Sequence, residues 1–216
     1  MSQINEFYEA NEKSVKTFTK KKLKNDGQLK QYYVTDNHEP IISREDFEKL
    51  FGEGKELTFV KELSQPGQYL ANERVAVVTP KGEFTNVAVL GPERKEAQIE
   101  ISLTDGKTLG IAPPVHLSGK TDGSPGATLS GPCGQIQVDR GVIAAQRHIH
   151  LSPEDGRRFG VTDKQTVRLQ TLTDRPVIFE NVTVRIHPDF RCAAHLDYDE
   201  ANACGFRKGD LGRILP

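Results

Sequence analysis

Long apolar runs are absent from this 216-residue sequence. The longest, such as Val75-Ala76-Val77-Val78 and Val142-Ile143-Ala144-Ala145, are far too short to span a bilayer, and Met1 is followed by no signal-type apolar core. These absences exclude membrane-spanning helices and predict a soluble, cytoplasmic protein that is not exported. Charge of one sign is also lacking: 29 Lys and Arg stand against 30 Asp and Glu, for a formal charge of −1. No global field recruits nucleic acid or an acidic membrane, so the expected partners are small molecules. Cysteine is scarce. Cys133, Cys192 and Cys204 are odd in number and show no CxxC spacing, which predicts reduced, buried filler thiols and not a disulfide framework.

What is present starts with a distinct N-terminus. Ile4, Phe7, Tyr8, Val15 and Phe18 fall near helical spacing, followed by Lys20-Lys21-Lys22 and the turn Asn25-Asp26-Gly27. The pattern predicts an amphipathic helix over residues 1–26, either capping the domain or serving as a docking or targeting segment. Beyond Gln31 the chain changes to short β-type runs: 75–79, 86–90, 98–102, 166–170 and 182–186, punctuated by turn residues such as Pro80-Lys81-Gly82, Gly91-Pro92 and Asp174-Arg175-Pro176. Many strands with few long helices imply barrels or a sandwich. The polar stretch 117–126 predicts a surface loop.

An imperfect repeat organises the chain. Ile42-Ser43-Arg44-Glu45-Asp46 leads to Phe51-Gly52, and Leu151-Ser152-Pro153-Glu154-Asp155 leads to Phe159-Gly160. In each copy a strand-like residue precedes a Ser that caps a short helix, with Asp three positions on completing the box and Pro153 suited to the first turn. Two related barrels are the natural inference.

Immediately before the second copy stands Arg147-His148-Ile149-His150. Histidines at i and i+2 of a strand share a face, which suits a metal chelate. A catalytic zinc takes three protein ligands and one open position, and His195 is the best third imidazole. The bland alternative is a hydrogen-bonded histidine pair. His187, before Pro188, and His116, in a polar loop, read as solvent histidines. Arg94, after the Gly91-Pro92 turn, offers a planar fork for phosphate, and Glu100 a carboxylate for a metal site, although by itself each is more often an ordinary surface charge.

Several motifs now stand in one order: Arg147 to Asp155, Asn181-Val182-Thr183-Val184-Arg185, His195-Leu196-Asp197 and Asp199-Glu200-Ala201-Asn202-Ala203. Upstream lie Leu63 to Gln68, Val89-Leu90-Gly91-Pro92, Gln98 to Ser102 and Gly123-Ser124-Pro125-Gly126. Together they resemble the propanediol-utilisation phosphotransacylase, or phosphate propanoyltransferase, family over nearly everything after about residue 30. The resemblance implies a mainly β protein of two β-barrel domains with short helices, here 24–37 plus 146–216 and 38–145, after the helical extension 1–26. It implies a two-zinc site between the barrels and exchange of a propionyl or acetyl group between coenzyme A and phosphate, with acyl-coenzyme A, phosphate and acyl phosphate as small-molecule partners. It further implies a homo-oligomer and a bacterial microcompartment destination, with residues 1–26 docking to shell or core proteins.

Carried over by position, His148, His150 and His195 hold one zinc, Arg94 binds phosphate and Glu100 belongs to the second metal. The family's other tandem histidine pair precedes the first SxED, where this chain reads Asn37-His38-Glu39-Pro40-Ile41-Ile42. Glu39 and Ile41 occupy the two histidine positions. Ile41 has no ligand atom, and Glu39, with His38 if Pro40 shifts the backbone, makes at best a mixed oxygen and nitrogen seat. Two rival functions therefore stand beside the acyltransferase: a catalytically silent relative serving in structure or assembly, and a metal-dependent hydrolase.

Overall fold

The computed structural model describes residues 2–4 and 39–215, with side chains from residue 41 onward. The chain divides into two compact units, one formed by residues 1–34 and 147–216 and the other by 35–146. Both are mainly β with short helices.

The 35–146 unit begins with β2 (Glu39–Ile41) and α1 (Arg44–Phe51), continues through β3 (Phe59–Glu62), β4 (Tyr69–Thr79) and β5 (Gly82–Gly91), and reaches β6 (Gln98–Ile101) and α2 (Leu103–Leu109). It ends with β7 (Val115–His116), β8 (Ala127–Ser130), β9 (Gln135–Val138) and β10 (Val142–Ala145). One sheet has the order β2-β6-β10-β7; the other has the order β3-β4-β8-β9 with β5 paired to β4. The expected runs 75–79, 86–90 and 98–102 fall within β4, β5 and β6, with Ser102 left as a helix cap. Their alternating apolar residues converge with α1 on one core containing Phe47, Leu50, Val77, Val89, Ile99 and Leu129. A smaller apolar cluster joins Ile41, Leu63 and Leu90, with Leu70 packed against it.

The other unit contains β11 (His148–Leu151), α3 (Pro153–Phe159), β12 (Thr166–Leu172), β13 (Ile178–Ile186), β14 (Ala193–Leu196), α4 (Tyr198–Ala203) and β15 (Leu211–Leu215), preceded by β1 (Ser2–Ile4). Its sheet order is β1-β14-β11-β13-β12-β15. Ile149, Leu151, Leu169, Val184, Ala194 and Leu196 form its core. Burying each of the larger side chains contributes about 1.5–3 kcal/mol. Among the described residues this sheet runs from β1 to β15 without closing on itself, so the mainly β class holds while two complete barrels are not what the strand pairing draws.

Two expectations change. Ser2–Ile4 was to open a helix over 1–26; it is a strand, antiparallel to β14 with Gln3 opposite His195. An edge strand offers a row of main-chain partners that overrides a weak helical period. The rest of that helix, the segment 24–37 assigned to the first barrel, and His38 lie outside the described residues. In the 117–126 loop, Thr121 and Ser124 are buried, and the Ser124 hydroxyl donates to the Thr121 carbonyl at 2.6 Å while accepting from the Gly141 N–H at 2.8 Å. A polar loop can be buried when its polar groups bond one another.

The repeated Ser cap is present in both copies, with the reciprocal box closed at Ser152 but not at Ser43, and it recurs elsewhere. Ser43 caps α1 and Ser152 caps α3, each accepting from the backbone N–H three residues on. The same strand, cap and helix sequence recurs at Ser102 with Asp105 and at Asp197 with Glu200. Among the described residues each unit therefore holds two such modules, and in each unit the strands of the two modules pair antiparallel: β2 with β6, β11 with β14.

Candidate metal centre and anion cluster

Alternation along β11 sends Ile149 and Leu151 into the core, which leaves His148 and His150 together on the opposite face. Pairing with β14 sets His195 directly across from His148. All three rings are buried, and one ligand nitrogen from each lies within 4.8 Å of the others. Ring centroids are 4.6 to 4.7 Å apart, with His148 and His195 stacked and His150 tilted against both. Tetrahedral zinc with nitrogens at about 2.0–2.1 Å would need them about 3.4 Å apart.

The surroundings keep the rings neutral. Burial, then His148, then Arg185 push the His150 pKa down to about 2. Burial, then the two neighbouring histidines, hold His195 well below the usual imidazole range. Neutral imidazole is the form that binds metal, its lone pair unprotonated. Among the described residues, neither buried ring nitrogen of His150 has a hydrogen-bond partner. An orphaned buried polar group costs about 1–3 kcal/mol, which a bound ion would remove. The bland reading, a hydrogen-bonded histidine pair, fails at His150. On this observation the trio fits a metal ion.

Residues that the sequence reading did not single out surround the trio. Phe190 stacks on His150 with centroids 4.0 Å apart, held by a turn in which the Phe190 N–H donates to the His187 carbonyl at 3.0 Å. Arg147 pairs with Glu200 and donates through Nε to the Glu180 carbonyl at 2.8 Å, which fixes the start of β11 against β13 and α4. Glu200 also closes the cap of α4 with Asp197, and burial raises the pKa of both carboxyls. The Asp197 to Ala203 motif is thus an anchoring device for the segment carrying His195. His187 is exposed, and His116 is half-buried with Nδ1 3.0 Å from the Lys120 carbonyl; neither joins the trio.

In the other unit β2 and β6 repeat this register with different side chains. Glu39 stands opposite Glu100 and Ile41 opposite Gln98, as His148 stands opposite His195 and His150 opposite Ala193. Ile41 lies in the small apolar cluster with Leu63 and Leu90. Glu100 Oε1 accepts from the Gln98 amide at 2.6 Å. The described side chains at this second seat do not fit a histidine-type zinc site. Arg94 is exposed, its N–H donating to the Ile42 carbonyl at 3.0 Å and its guanidinium to the Ser118 hydroxyl at 3.3 Å. Gly91 sets up the turn before it: a Cβ there would lie 2.1 Å from the Tyr69 ring.

The cysteines divide. Cys204 is buried as expected, and Cys192 is half-buried, but Cys133 is exposed, because it sits in the turn between β8 and β9 where no core reaches it.

Comparison with known proteins agrees with the sequence motifs. Residues 34–207 match the family model described as phosphate propanoyltransferase. A phosphate propanoyltransferase of Clostridioides difficile (strain 630) is 48% identical over 174 residues, covering 81% of this chain and 83% of the relative. Those of Enterococcus faecalis (strain ATCC 700802 / V583), 51% identical over 81% of this chain and 82% of the relative, and of Thermotoga maritima, 52% over 83% and 86%, are similar. The chain belongs to the phosphate propanoyltransferase family, a family of phosphotransacylases.

Proposed function

We propose that this protein exchanges a short acyl group, propionyl or acetyl, between coenzyme A and phosphate, using one zinc held by His148, His150 and His195. The observation that carries the reading is the buried trio with its unpartnered His150 nitrogens. Three neutral imidazoles would hold the ion and leave a coordination position for substrate. Zinc bound there supplies Lewis-acid polarisation of an acyl or phosphoryl oxygen, or a lowered thiol pKa.

The chain's own residues do the rest. Burial around the trio excludes water, and Phe190 covers one face of the His150 ring. Arg94 binds the phosphoryl group through its planar fork and neutralises its charge. The coenzyme A thiolate attacks the acyl carbon, the carbon–oxygen bond to phosphate breaks, and phosphate leaves with its charge carried by Arg94. No covalent acyl-enzyme is required, so none of the three cysteines has a chemical role. Glu39 and Glu100 remain at the altered second seat without a metal in this reading.

The test is acyl-coenzyme A cleavage with and without phosphate on protein of measured zinc content. Phosphate-dependent turnover supports the transferase, phosphate-independent release supports a hydrolase, and a folded protein with no turnover supports a silent relative. The same reading places the enzyme in the cytoplasm, with residues 1–26 directing it into a microcompartment; a reporter fused to 1–26 that stays diffuse in a microcompartment-forming host argues against that role.

A further inference from the structure

We propose that Gln98 is a positioning residue for phosphate, its amide fixing the Ser118 hydroxyl and through it the Arg94 guanidinium; this rests on the phosphate role given to Arg94 above. Gln98 is 3% exposed, at the start of β6. Its Nε2 donates to Glu100 Oε1 at 2.6 Å and to the Ser118 Oγ at 2.9 Å, and its Oε1 accepts from the Gly119 N–H at 2.7 Å. Both amide hydrogens and the carbonyl are thus used. The amide joins a strand to the loop after β7, and that loop presents the hydroxyl that Arg94 meets at 3.3 Å.

The chemistry of the amide matters. An exposed arginine loses rotamer freedom when it closes on an anion, and a guanidinium held beforehand loses less. A direct ion pair with Glu100 would hold Arg94 but spend its charge. By giving Glu100 a neutral N–H partner, Gln98 fixes the network and leaves the guanidinium charge for phosphate. Glu100, at the position of a metal ligand in the paired-strand register, becomes the fixed acceptor that orients the amide. In the histidine unit the corresponding position is Ala193, opposite His150, which has no polar side chain to play this part.

Gln98→Glu keeps side-chain length and an acceptor for Gly119 but removes both donors and sets a carboxylate against Glu100. In steady-state assays on the full, zinc-loaded chain, the KM for inorganic phosphate rises about tenfold or more, while kcat falls less than about threefold and zinc content is unchanged. Calorimetric titration with inorganic phosphate shows the same weakening without turnover. Ser118→Ala, which leaves the buried amide in place, shifts phosphate KM in the same direction and serves if the Gln98 variant does not fold. Unchanged phosphate KM and Kd in either folded variant overturns the proposal, as does a fall in kcat with KM unaltered. Native turnover that ignores phosphate refutes the role of Arg94 itself and is seen before any variant is made.

Discussion

Removing one imidazole from the trio separates a metal centre from a packed histidine cluster. His195→Ala and His150→Ala are each expected to abolish stoichiometric zinc binding and lower phosphate-dependent turnover at least about a hundredfold, checked by elemental analysis and a thiol-release assay. A packed cluster would instead respond mainly in stability. The thiols offer a complementary test. Cys133 is exposed, whereas burial raises the Cys204 thiol pKa. A maleimide therefore modifies Cys133 in the native protein and spares Cys204, and the modified protein keeps most of its activity; mass spectrometry and the same assay decide. Rapid inactivation on labelling contradicts a mechanism without a cysteine nucleophile. At this scale the sequence disclosed the three histidines that the fold brings together, because His-x-His on a strand has a fixed geometric meaning. It did not disclose Gln98, Ser118 or Phe190. An amide, a hydroxyl and an aromatic ring carry no motif, and their roles arise only from contacts across 20 or more positions, such as Gln98 with Ser118.

The recurring element is a short strand, a capping residue and a short helix. Substituting the caps Ser102→Ala or Ser152→Ala should cost about 1 kcal/mol each, read as a lowered midpoint in urea denaturation. Gly91→Ala is expected to cost more, because its Cβ would lie 2.1 Å from the Tyr69 ring next to the turn that aims Arg94; lowered stability and weaker phosphate binding should appear together. Two of the four caps among the described residues were legible as Ser-x-x-Asp after an apolar residue. Ser102 carries the same spacing in Ser102-Leu103-Thr104-Asp105, and Asp197 the related Asp-x-x-Glu, but their flanking residues differ enough to hide the kinship. The strands themselves were visible from alternation, whereas their partners were not. Pairing of β11 with β14, or β2 with β6, is decided by packing between residues some 45 to 60 positions apart, beyond the reach of a local pattern. The strand at Ser2–Ile4 shows the same limit from the other side: an available sheet edge outweighed a helical period.

Across the whole molecule, family membership supplies the reaction class, and the altered second seat sets this chain apart from the two-zinc pattern its sequence resembles. Ile41 contributes no ligand atom, and the Glu100 carboxylate already accepts from Gln98. The account therefore requires a single metal to suffice. The most direct measurement is zinc per chain on purified native protein, taken together with phosphate-dependent cleavage of acyl-coenzyme A before chelation, after chelation and after zinc is returned. One zinc per chain is expected, with turnover lost on removal and restored by one equivalent. Undiminished turnover in the metal-free protein, or a fully zinc-loaded native protein that is inert, would contradict it.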